Sequence, residues 1–187
     1  MIQRLVLLSS LIVVLGFAGC GSGSRAVEVV IEGDGQFPEF LVGRWKADKH
    51  SWEFVFEADG TISSAVIALG AVTMKPGETS IVPMVVGGKG IFEPGPWLVH
   101  YSPASRELMV EVSLKHFYAE MAGAVMEGKV RDVLVGEIAG DGKSWQADWN
   151  SFPEYFVTTH AYRNYKLPAD PNDNPQATLI FEKVVPE

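Results

Sequence analysis

Cysteine is almost absent: Cys20 is the only one in 187 residues. One thiol can neither close an internal disulfide nor build a thiolate metal site. Positive charge is also scarce, with 15 Lys and Arg against 23 Asp and Glu and a net charge of -8. The basic residues are scattered. That removes the electrostatic footprint of a nucleic-acid binder and the polybasic patch that would hold anionic lipid. The histidines His50, His100, His116 and His160 have no metal-ligand spacing among themselves. No Gly-x-Ser-x-Gly elbow occurs. Gly142-Lys143-Ser144 looks like the tail of a phosphate-binding loop, but the first glycine of that loop would fall at Glu137. Asp170, Asn172, Asp173 and Asn174 suggest a calcium loop, yet Pro175 stands where an EF-hand wants glycine and Phe181 where it wants glutamate. The chain therefore reads as a non-enzyme with no cofactor, no metal and no nucleic-acid partner.

What is present is enough apolar material for one core. Hydrophobic residues make up 47%, aromatic residues 11% and charged residues 20%, which excludes a generally disordered chain. The length suits one domain. Residues 1–19, MIQRLVLLSSLIVVLGFAG, carry one early positive charge at Arg4 and then a mostly apolar run from Leu5 to Phe17. That run has the length of a signal-peptide core and is short for a membrane span. It ends in Phe17-Ala18-Gly19-Cys20, and Gly21-Ser22-Gly23-Ser24 follows as flexible linker composition.

This N-terminus resembles the lipobox of bacterial lipoproteins, in which small residues precede a cysteine that becomes the lipidated mature N-terminus; Phe17 stands where that family usually carries Leu. The resemblance implies a cleaved signal helix over 1–19, thioether lipid and palmitate-type acylation at Cys20, and a cell-envelope protein held by its lipid. Several acyl chains anchor firmly where one does not. Gly21 and Ser22, rather than aspartate, follow Cys20, so the family rule implies the outer membrane if the host has two membranes. Residues 20–36 are expected as a tether and 37–187 as the folded domain. Val27, Val29 and Ile31 alternate with Glu28, Val30 and Glu32 as a short strand does, which leaves open whether the ordered domain begins near Ala26.

The remainder reads as strands. Leu41 to Ala47 and Ser51 to Glu57 pair around Lys49 and His50, with Trp52, Phe54 and Phe56 sharing a face. Asp59-Gly60 supplies a tight turn, and Thr61 to Val72 continues as one apolar strand. Met74 to Pro96 is punctuated by Pro76-Gly77, Gly87-Gly88 and Pro94-Gly95-Pro96 and reads as an irregular hairpin. Trp97 to Tyr101 and Leu108 to Lys115 follow. Tyr118, Met121, Ala122, Val125 and Met126 fall at helical spacing and predict a short helix near 118–127. Val130 to Ile138 and Trp145 to Trp149 form a hairpin, Tyr155 to Tyr165 gives a further strand, and Ala177 to Val184 closes the fold. Eight to ten strands with turns between them predict an all-β antiparallel barrel, with a β-sandwich as the alternative.

Within Phe40 to Ser64, Gly43-Arg44-Trp45, Phe54-Val55-Phe56 and Asp59-Gly60-Thr61 resemble the opening of lipocalin-like domains of the calycin type. The resemblance implies that Gly43 and Trp45 plug one barrel end, with Lys183 as the basic residue of the last strand. It also implies that the interior holds a small hydrophobic ligand. Trp52, Phe54, Phe56, Trp145, Trp149, Met121 and Met126 are the candidate ligand-lining residues. The alternative is an envelope scaffold or protein-interaction module with a solid core, its partner unknown.

Overall fold

The computed structural model describes residues 26–33, 35–69, 71–84, 87–121, 124–159 and 176–185, with backbone alone at Met121 and 156–159. The expected signal helix, Cys20, the Gly-Ser linker and the Leu167 to Pro175 loop lie outside these residues. Strands follow one another as β1 Val27–Ile31, β2 Gly43–Ala47, β3 Glu53–Phe56, β4 Ile62–Ile67, β5 Val72–Met74, β6 Ser80–Pro83, β7 Lys89–Pro94, β8 Trp97–Ser102, β9 Glu107–Met121, β10 Ala124–Ile138, β11 Ser144–Thr159 and β12 Gln176–Lys183. The only helical element among the described residues is a 3-10 turn at Glu39–Leu41. The protein is all-β.

One twelve-stranded sheet contains them all, in the order β1-β8-β9-β10-β11-β12-β2-β3-β4-β5, with β6 on β7 and β7 on β9. Every pair is antiparallel except β1 with β8. Strands β7 and β8 share the same edge of β9, β7 along 114–119 and β8 along 107–111. They are one long run broken by Pro94-Gly95-Pro96, because proline offers no N–H to continue the ladder. The sheet curls until its two ends approach: a Cβ at Gly77, just past β5, would lie 3.2 Å from that of Ala26, just before β1. It does not close. Among the described residues, β5 and β6 are linked by the bridge Lys75↔Glu78, where Glu78 N–H donates to Lys75 O at 3.2 Å, and by a hydrogen bond from Ser80 Oγ to Thr73 O, 3.2 Å. The expected closed eight- to ten-stranded barrel is therefore a twelve-stranded open sheet, and the two-sheet sandwich does not form.

Three expectations are corrected. The helix near 118–127 is instead the end of β9 and the start of β10, paired from Met121↔Ala124 onward. The helical spacing of Tyr118, Val125 and Met126 comes from joining two alternating strands at a hairpin, where Phe117 and Ala119 rather than Tyr118 are buried on one strand and Met126 packs against the core on the other. The single strand Thr61 to Val72 is instead two antiparallel strands, β4 and β5, with Ala71 at φ 52 just before β5. The separate strand from Tyr155 is the continuation of β11 as far as Thr159. Val27–Ile31, left open between tether and domain, is a strand of the sheet, paired along its whole length with β8.

Side chains alternate across a strand, so an inserted residue moves the apolar set to the other parity. This happens twice. On β9, Leu108, Val110, Val112 and Leu114 face inward, then Phe117 and Ala119 after the irregularity near Lys115. On β4, Ile62 faces inward, then Ala65 and Ile67. Both shifts keep the buried side continuous, and the inner face forms one core.

Candidate functional site

The interior has two unlike ends. At one, the 3-10 turn brings Leu41 over the start of β2, and the Trp45 indole donates to Leu41 O at 2.8 Å. Trp45, Phe54, Ala65 and Met74 form a cross-strand row over β2 to β5, and none is more than 2% exposed. Gly43 sits at φ +114, a conformation that favours glycine, with the Lys183 side chain close to where a Cβ would stand. Lys183 pairs with Trp45 across β12 and β2, and its ammonium donates to Phe40 O at 3.0 Å. The Arg106 guanidinium lies over the Phe40 ring at 5.4 Å and donates to the carbonyls of Ile138 and Ala139.

Above this end the interior is solid aromatic. Trp145 stacks on Phe181 with ring centroids 4.6 Å apart, Phe181 meets Phe54 at 5.7 Å, and Phe54 stacks on Trp52 at 5.6 Å and tilts against Phe56 at 5.9 Å. Such ring pairs stabilise beyond their buried area. The close approach of β10 to β11 depends on glycine: a Cβ at Gly136 would overlap Gln146 O, and Gly136 O accepts from the Trp145 indole at 3.2 Å. The buried Trp52 indole N–H has no acceptor among the described residues.

At the other end the packing gives way to a half-open cavity of about 280 Å³. The β4–β5 turn supplies Ala68 and Leu69 as one wall. Phe117 comes from β9, Met126, Val130 and Asp132 from β10, and Trp149, Ser151, Pro153 and Tyr155 from β11. The walls are mostly apolar. The polar focus is Asp132, 6% exposed, whose Oδ1 accepts from Trp149 Nε1 at 2.9 Å. Ladder register explains the grouping. Ser151 stands directly opposite Asp132, and Trp149 is two residues earlier on the same face of β11. Burial pushes the Asp132 carboxyl above its ordinary pKa, while hydrogen bonds from Ser151 and Trp149 pull the other way. The His50 ring, in the β2–β3 turn, lies 5.2 Å from the Trp149 ring.

Of the candidate lining residues, Trp149 and Met126 lie on the cavity wall, whereas Trp52, Phe54, Phe56 and Trp145 are in the solid half. Met121 lies on β9 near the hairpin, its side chain outside the described atoms. Asp132 and Ser151 were not among the candidates. Their signal was a polar residue at an inward position between Val130 and Leu134, obscured because Val133 and Val135 make the other face of β10 apolar as well.

No metal-binding group of His, Cys, Asp or Glu occurs among the described residues, and none of their helices is long and apolar enough to cross a membrane. No family model, curated protein or solved structure matches the chain. Nothing in these comparisons indicates an enzymatic activity.

Proposed function

We propose that the protein is a lipid-anchored, extracytoplasmic, lipocalin-like binding protein that holds a small apolar ligand at the open end of its curled sheet. The observation that carries this is the cavity of about 280 Å³ between the β4–β5 turn and strands β9 to β11. An apolar concavity with a few convergent polar groups and a perturbed carboxyl is the usual form of a small-ligand site. Its volume lies just under the roughly 300–1,000 Å³ of drug-sized sites, so the ligand is small. The Gly43 and Trp45 end fits the plug of the lipocalin-like pattern. The lipobox-like segment ending at Cys20 supports attachment to the envelope, at the outer membrane where the host has two. The aromatic half, taken alone, favours the alternative of a solid scaffold.

Tryptophan emission titrated with toluene, and calorimetry with indole and toluene, separate the two readings. A saturable signal that Met126→Trp removes is expected of the binding protein; no signal with either compound supports the scaffold. Cys20→Ser should release the protein from the membrane fraction, and its sedimenting with membranes in high salt would rule out the lipid anchor.

A further inference from the structure

We propose that the cavity takes a small primary amine with an apolar body, its ammonium paired with the Asp132 carboxylate. This rests on the cavity being a ligand site and names the class of ligand it selects.

Asp132 has no cationic partner among the described residues. Asp132 is buried on the cavity wall, and a buried carboxylate is costly unless it is paired and hydrogen-bonded. Its partners, the Trp149 indole N–H and the Ser151 side chain, are both neutral. Among the described residues lining the cavity, none is Lys, Arg or His. A carboxylate offers about four acceptor positions, so two donors leave room for more.

What enters the cavity must meet this group. A hydrocarbon would displace water from the carboxylate and give nothing back. A carboxylic acid in its ionised form would add like charge. An ammonium supplies both the missing countercharge and the missing donors, and charge-assisted hydrogen bonds are roughly twice as strong as neutral ones. The walls suit the rest of such a molecule: Phe117, Trp149 and Tyr155 present aromatic surface, which favours both an apolar body and a nearby cation. The raised carboxyl pKa is what a site missing its cation would have.

The full chain, purified in a non-ionic detergent, is titrated with phenethylamine, 2-phenylethanol and 3-phenylpropionate by calorimetry and tryptophan emission. These probes share a ring and differ in the head. Phenethylamine should bind about tenfold or more tighter than the alcohol, and the carboxylate weakest. Asp132→Asn keeps an acceptor for Trp149 and should erase the preference for the amine over the alcohol. Equal binding of amine and alcohol by the unaltered chain, or an amine preference that survives Asp132→Asn, overturns the amine assignment and leaves the cavity as an apolar site. Binding of none of the three, nor of indole or toluene, overturns both. The comparison of probes on the unaltered chain stands whether or not the variant folds.

Discussion

The two halves of the interior are built from the same sheet with the same kind of side chain, yet one is full and the other is not. In the full half, residues that face each other across the sheet are large on both sides: Trp145 on β11 and Phe181 on β12 are paired in register and stacked, and Phe54 meets both. In the open half, β9, β10 and β11 run on for 15, 15 and 16 residues, well beyond the short strands β2 to β5 that would have to fill the space opposite. Only the β4–β5 turn reaches over, with Ala68 and Leu69. Unequal strand length, rather than a change of composition, makes the cavity, and Asp132 and Ser151 occupy the inward positions where the aromatic filling ends.

Truncations should divide along this line. Trp145→Ala removes a fully buried ring from the stacked half and should cost about 3–5 kcal/mol in denaturant unfolding, with the midpoint shifted and the slope unchanged. Gly136→Ala forces a methyl group against Gln146 O and should cost about 1–3 kcal/mol or more, as overpacking does. Met126→Ala, on the wall of the existing cavity, should cost about 1 kcal/mol or less, because the side chain is only partly buried. A cost for Met126→Ala equal to that of Trp145→Ala would erase the distinction between the halves.

A pH series sharpens the comparison at its polar point. Burial raises the Asp132 carboxyl pKa in the folded protein. Folding therefore favours the protonated form, and the contribution of Asp132 to stability is fully present below its unfolded pKa. It is lost as pH rises through the folded pKa. Asparagine does not titrate, so the melting temperature of Asp132→Asn should gain on that of the unaltered chain as pH is raised from about 3.5 toward neutrality. A difference that stays flat over that range would show that burial does not raise the Asp132 carboxyl. A comparably small effect is expected at the Trp45 end. Lys183→Met removes the hydrogen bond to Phe40 O and should cost about 1 kcal/mol in thermal unfolding.

Much of the full half was legible in the sequence. Trp52, Phe54 and Phe56 alternate cleanly, and the Asp59-Gly60 turn fixes the register that places them inside, with Gly60 at φ +83. The open half was not, for three physical reasons. The irregularity near Lys115 flips the inward parity of β9, so a fixed period of two fails there. The hairpin at Met121↔Ala124 joins two alternating patterns into a false helical one. Both faces of β10 carry valine, so alternation alone could not assign Asp132 to the inside. Closure was also beyond local reading, since the β5–β6 seam depends on strands whose pairing is set by distant partners.

A small ligand should enter one half of the interior and not the other, and methionine reports on both. Met74 is fully buried in the row with Trp45 and Phe54, and Met126 lines the cavity. With the methionine methyl groups labelled with carbon-13, the full chain is titrated with phenethylamine and followed by NMR. A saturable shift of the Met126 methyl resonance is expected, with that of Met74 unmoved. A Met126 resonance that stays in place while phenethylamine binds, or equal movement of both, would contradict it.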